Sequence, residues 1–140
     1  MIELLKILHV FAFTAGIGGG LANLVVIRAA GSADPEAAKA LRGITPRIGM
    51  LSVHSLGLLW VTGPLLLWLA YNGGAHLSPL FHAKMLGAVL LTLIVIASRL
   101  TIRKIKAGKP APLAPHMPKL ALAASLTGLT TIALAVLTFS

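Results

Sequence analysis

Four stretches, residues 4–27, 48–70, 80–102 and 120–139, each run for 20 residues or more with no Asp or Glu and at most two Lys or Arg. A helix rises 1.5 Å per residue and bilayer hydrocarbon is about 30 Å thick, so about 20 apolar residues suffice to cross it. The pattern predicts four spanning helices. Only 11% of the 140 residues are charged and the mean hydropathy is +0.94, against roughly a quarter charged in soluble domains. What remains outside the four runs is too short for a soluble domain. The expected fold is an all-α integral membrane protein: one domain over residues 1–140, an antiparallel four-transmembrane-helix bundle.

The net charge of +9 raises the question of nucleic acid, and its distribution argues against that partner. Arg28, Lys39, Arg42 and Arg47 lie in or beside the first connection, and Arg99, Arg103, Lys104, Lys106, Lys109 and Lys119 at or in the third. The second, residues 71–79, has neither Lys nor Arg. By the positive-inside rule the first and third connections face the cytoplasm, with both termini and the second connection outside, in the periplasm. The expected location is a bacterial-type inner (plasma) membrane, crossed several times, with the basic residues orienting the chain and meeting anionic lipid. The first run is longer than the apolar core of a signal peptide and reads as a retained helix. There is no cysteine, hence no disulfide, thiolate metal site or iron–sulfur cluster.

Local signals set the helix limits. Thr45-Pro46 and Ser78-Pro79 each place a capping hydroxyl before a proline at the first helical position, so helices are expected at about 4–27, 46–70, 79–102 and 118–139. In "GSADPEAAKALRG", Asp34 reads as a cap, Pro35 as the first helical residue and Gly43 as a terminator, predicting a short cytoplasmic surface helix over about 35–42. Pro110, Pro112, Pro115 and Pro118 predict an extended, semi-rigid strap before the last helix. Pro64 denies the Trp60 carbonyl its helical donor and predicts a kink.

On helix one, His9, Phe13, Gly16, Gly20, Asn23 and Ile27 recur at spacings of three and four, the expected buried stripe. "GIGGG" is no dinucleotide fingerprint, since it lies inside a helix rather than after a strand. Gly16 and Gly20 read as small-residue packing, with room for a flat macrocycle as the alternative. On helix three, Lys84, Ala88, Thr92, Val95 and Arg99 share a side. His82 lies about 200° from Lys84 and faces headgroups, a neighbouring subunit or an outer mouth.

The candidate chemistry rests on His9 and Lys84, expected at a similar depth below the outer surface. Ionisable residues within spans are rare and usually functional, and imidazole is a common haem ligand. His9 is therefore a candidate iron ligand, with a hydrogen-bonded core histidine as the alternative. Lys84 reads as a snorkelling side chain, an anchor for an anionic group, or an axial ligand. His54 is expected to bond Asn23, or to serve a second haem or a proton relay. His76 and His116 read as solvated loop residues, Trp68 and Tyr71 as an interfacial belt. Glu3, Asp34 and Glu36 are all near or beyond the surface, which excludes carboxylate chemistry within the bilayer.

"LLKILHV" with the small residues after it, and "LFHAKMLGAVLL", resemble the HemJ-type protoporphyrinogen oxidases, small four-helix haem-binding membrane proteins. The family's helix-one histidine and its lysine in an aromatic-x-His-x-Lys segment match His9 and Lys84, with His82 between. The resemblance implies haem b, quinone-linked redox chemistry and a homo-oligomer, with a tetrapyrrole or quinone as small-molecule partner. Where the family carries a tryptophan after the histidine and a Pro-Arg pair near the end of helix one, this chain reads "FAFTAG" and "LVVIRA". The stretch from "LHVFAFTAG" to "GSADPEA" is similar to a related group of small membrane proteins, and the layout to copper-resistance D domains. Three readings follow: a haem b redox protein ligated by His9 and Lys84, with His54 and His82 as further candidates; a copper-handling module using His9, His76, His82 and Met85, since imidazole and thioether suit copper; and a structural subunit without a cofactor.

Overall fold

The structure is a computed structural model describing residues 1–74 and 78–139. The described residues form four long helices: α1 (Ile2–Ser32), α2 (Pro35–Tyr71), α3 (Pro79–Lys106) and α4 (Met117–Phe139), with short 3-10 turns at Asn72–Gly74 and Ala114–His116. All four are long and apolar enough to cross a membrane, the make-up of a multi-pass membrane protein. Phe11 is 67% exposed and Trp68 76%, side chains that water would disfavour and lipid accommodates.

The chain divides into two compact units, Met1–Ser78 and Pro79–Ser140. In the first, α1 and α2 form an antiparallel hairpin whose connection is only Ala33 and Asp34. Asp34 Oδ1 accepts the backbone N–H groups of Glu36 and Ala37 at 3.1 and 3.0 Å, the cap expected of it.

The separate surface helix is not formed. Residues 35–42 are the first turns of the 37-residue α2, which continues through Pro46 and Pro64. Thr45 does not cap a new helix; its hydroxyl turns back to the Leu41 carbonyl at 3.5 Å. Gly43 stays helical; among the described residues the glycines with positive φ are Gly73 and Gly108. The reason is tertiary: Ala30 and Ala38 are buried in this part of the chain, so helix here covers apolar surface. Pro46 removes the helical donor only from Arg42, an exposed residue whose carbonyl water can reach. At 1.5 Å per residue α1 and α2 are about 46 and 56 Å long, so both exceed the hydrocarbon thickness. The excess at the hairpin end carries Arg28, Lys39 and Arg42.

The expected stripe of α1 does face α2, with His9 beside Thr62 and Gly16 beside Ser55, but its members are not the most buried residues. His9, Phe13, Gly16, Gly20, Asn23 and Ile27 are half-buried, and the fully buried positions are Ala12, Gly19 and Ala30. The smallest side chains take the line of closest approach, because only they let two backbones come together.

In the second unit α3 begins at Pro79, where Ser78-Pro79 places it, and runs one turn beyond the expected end, to Lys106. Gly108, at φ 65°, closes it, with the Lys109 N–H reaching the Lys104 carbonyl at 2.9 Å. The proline-rich connection is not an extended strap. The Ala114 N–H bonds Ala111 and the His116 N–H bonds Leu113, both at 3.0 Å, folding it into turns. Gly87 of α3 lies against Thr131 of α4, and Thr101 and Ser125 are buried. Their hydroxyls are satisfied one turn back, by Ala97 at 2.8 Å and Ala121 at 3.0 Å, as helices in hydrocarbon require.

Candidate functional site

The α1–α2 register is set by three close pairs: His9 beside Thr62, Gly16 beside Ser55, and Gly19 beside Ser52. Antiparallel helices in contact advance equally in opposite directions, so one pair predicts the others. Ser52 donates to the Gly16 carbonyl at 3.3 Å. A Cβ on Gly16 would meet Ser55 Cβ at 3.1 Å, and one on Gly19 would meet Ser52 Oγ at 3.3 Å. The small size of Gly16 is thus taken up by packing against α2.

His9 stands at one end of this seam, seven residues and about 10 Å along α1 from Ile2. Its ring is half-buried, with Nδ1 at 2.7 Å from Thr62 Oγ1. Thr62 is 2% exposed and the largest fully buried side chain in the described protein. Its Oγ1 also lies 2.7 Å from the Leu58 carbonyl. Gly63 flanks the imidazole: a Cβ there would stand 3.5 Å from His9 Cε1. The imidazole is therefore held at Nδ1 by Thr62 and bounded at its Cε1 edge by Gly63.

Asn23 and His54 do not form the expected bond. His54 is exposed, and its Nδ1–H donates to the Met50 carbonyl of its own helix at 2.9 Å. In the observed register Gly19 meets Ile48, Leu51 and Ser52, so Asn23, one turn further, lies about 9 Å beyond His54 along the axis. Asn23 Oδ1 is buried with no hydrogen-bond partner among the described residues.

In the second unit Lys84 lies five residues into α3 and is half-buried, whereas His82 is exposed. The His82 ring meets Phe81 edge to face, centroids 5.9 Å apart. His116 is exposed in its turn, and His76 lies outside the described residues. Among the described residues no three His, Asp or Glu side chains cluster as metal ligands; haem iron held by one imidazole needs no such cluster.

Thr62, Ser52 and Ser55 were not singled out in the sequence. Hydroxyls in spans commonly bond their own helix, and only the register distinguishes those that also touch α1. Comparison with known proteins finds no matching family model, no similar curated protein and no similar solved structure.

Proposed function

We propose that this chain is an inner-membrane haem b protein with a redox function, its four helices forming an antiparallel bundle with both termini outside and His9 as the iron ligand. The observation that carries the reading is the setting of His9: an imidazole within an apolar span, half-buried, held through Nδ1 by Thr62 and set against the bare backbone of Gly63. An intramembrane ionisable group has a functional role by default, and a ring held from behind is how a protein presents imidazole to a metal.

These residues fit a haem ligand. When bound, haem would supply one-electron exchange at its iron. The chain itself contributes the oriented imidazole, held at Nδ1 by Thr62. Lys84 is proposed, on its sequence position, as second ligand or propionate anchor. The resemblance to the HemJ-type oxidases makes protoporphyrinogen IX oxidation linked to the quinone pool the most specific form of the proposal, in a homo-oligomer.

The test is the absorption spectrum of protein purified in detergent. A Soret band in the wild type, lost in His9→Ala and kept in His54→Ala, is the expected result. A colourless preparation retaining stoichiometric copper would instead support a copper-handling module, and one with neither would support a cofactor-free subunit. Given haem, turnover of protoporphyrinogen with a quinone acceptor tests the reaction.

A further inference from the structure

We infer that Thr62 is a positioning residue that selects the Nδ1–H tautomer of His9 and so puts the imidazole lone pair on Nε2. The argument is a proton count. Thr62 Oγ1 makes two contacts of 2.7 Å, one to His9 Nδ1 and one to the Leu58 carbonyl oxygen. A hydroxyl has one proton to donate, and a carbonyl has none.

If the Thr62 proton went to His9, the hydroxyl oxygen and the Leu58 oxygen would face each other at 2.7 Å with no proton between them. Two acceptors at that distance in an apolar interior repel, and water has no access to relieve them around a side chain 2% exposed. With the Thr62 proton on Leu58, Oγ1 accepts from His9 Nδ1–H and both contacts are hydrogen bonds. The relay thus runs one way: imidazole to hydroxyl to backbone carbonyl.

The same contacts fix the ring's rotation. Thr62 holds the Nδ1 corner, and Gly63 bounds the adjacent Cε1 edge at van der Waals distance. The hydroxyl is itself a rigid acceptor, since its bond to Leu58 closes a ring on its own helix. A histidine on an isolated helix has neither constraint. Here the neighbouring helix supplies both from consecutive residues, Thr62 and Gly63.

The relay favours a proton on Nδ1 through what it offers that nitrogen alone. Its consequence for a metal rests on the proposed haem site: an Nδ1–H bonded to an acceptor makes Nε2 a better electron donor, and loss of such a partner typically costs 10- to 100-fold in metal affinity. Thr62→Val removes the hydroxyl and keeps the shape; Thr62→Ser keeps the hydroxyl.

The experiment has two readouts on the full chain in lipid nanodiscs. The first is ¹⁵N NMR of histidine-labelled protein without haem, with the His9 signals assigned by their loss in His9→Gln. Wild type and Thr62→Ser are expected to show a protonated Nδ1 and an unprotonated Nε2, and Thr62→Val to lose that preference. The second is haem titration, with affinity expected to fall about 10- to 100-fold in Thr62→Val and the reduction potential to rise, both recovering in Thr62→Ser. A His9 that keeps its Nδ1–H tautomer in Thr62→Val, or is Nε2-protonated in the wild type, overturns the inference. Should the tautomer respond as expected while His9→Gln still binds haem, the ligand assignment fails and the role of Thr62 stands.

Discussion

Substituting Gly16 by alanine tests the α1–α2 seam most directly. The added Cβ would sit 3.1 Å from Ser55 Cβ and 3.8 Å from Ser55 Oγ. Ser55 is buried, and its Cβ is bonded to the backbone, so no rotation of its side chain removes the contact. Relief requires the helices to part by a few tenths of an ångström, straining the Ser52 to Gly16 hydrogen bond. Overpacking of this kind costs about 1–3 kcal/mol, a change of about 5- to 150-fold in the ratio of folded to unfolded protein. Gly18 is the control: it is on the same helix, and an added Cβ there meets nothing within 4 Å. The intrinsic gain of alanine over glycine is common to both sites, so their difference isolates the contact. Unfolding by SDS in bicelles measures it, and Ser55→Gly in the Gly16→Ala background should recover much of the loss through the coupling expected of residues in contact. Equal stabilities of Gly16→Ala and Gly18→Ala, within about 0.5 kcal/mol, would refute the register.

In the second unit Gly87→Ala would drive its Cβ into Thr131 Oγ1; it should destabilise by about 1–3 kcal/mol in the same assay, with Thr131→Ala as the rescue. Asp34→Ala removes the acceptor for two backbone N–H groups at the start of α2 and should cost about 0.5–2 kcal/mol, with amide exchange rising first at Glu36 and Ala37. The chain has no cysteine, so single cysteines report sidedness cleanly. Ala33→Cys should react with a membrane-impermeant maleimide only after the cells are opened, and Asn72→Cys in intact spheroplasts; the reverse pattern would invert the proposed orientation.

Much of the helical architecture is legible in local sequence because hydrocarbon leaves backbone groups few alternatives. A run of 20 apolar residues must satisfy its N–H and C=O groups within itself, so residues 48–70 predict helix without knowledge of any partner. The cap at Asp34 and the start at Pro79 are legible for a similar reason: a short side chain and a fixed φ act on immediate neighbours. Thr45-Pro46 shows where local reasoning stops. Proline has the same φ at a helix start as inside one, and what continues α2 through Pro46 is the burial of Ala30 and Ala38 several residues away.

The candidate site divides along the same line. The amino-acid sequence alone determined four apolar helices and an imidazole within the first, since composition sets hydropathy and spacing sets depth. Tertiary structure decided what that imidazole touches. One turn of slip along α2 would exchange Thr62 for Leu58 or Leu66 opposite His9, leaving every local propensity unchanged. The register rests instead on Gly16 against Ser55 and Gly19 against Ser52, contacts about 10–15 Å along the helix from the ring they orient. The same register separates Asn23 from His54 and places the hydroxyl that holds His9.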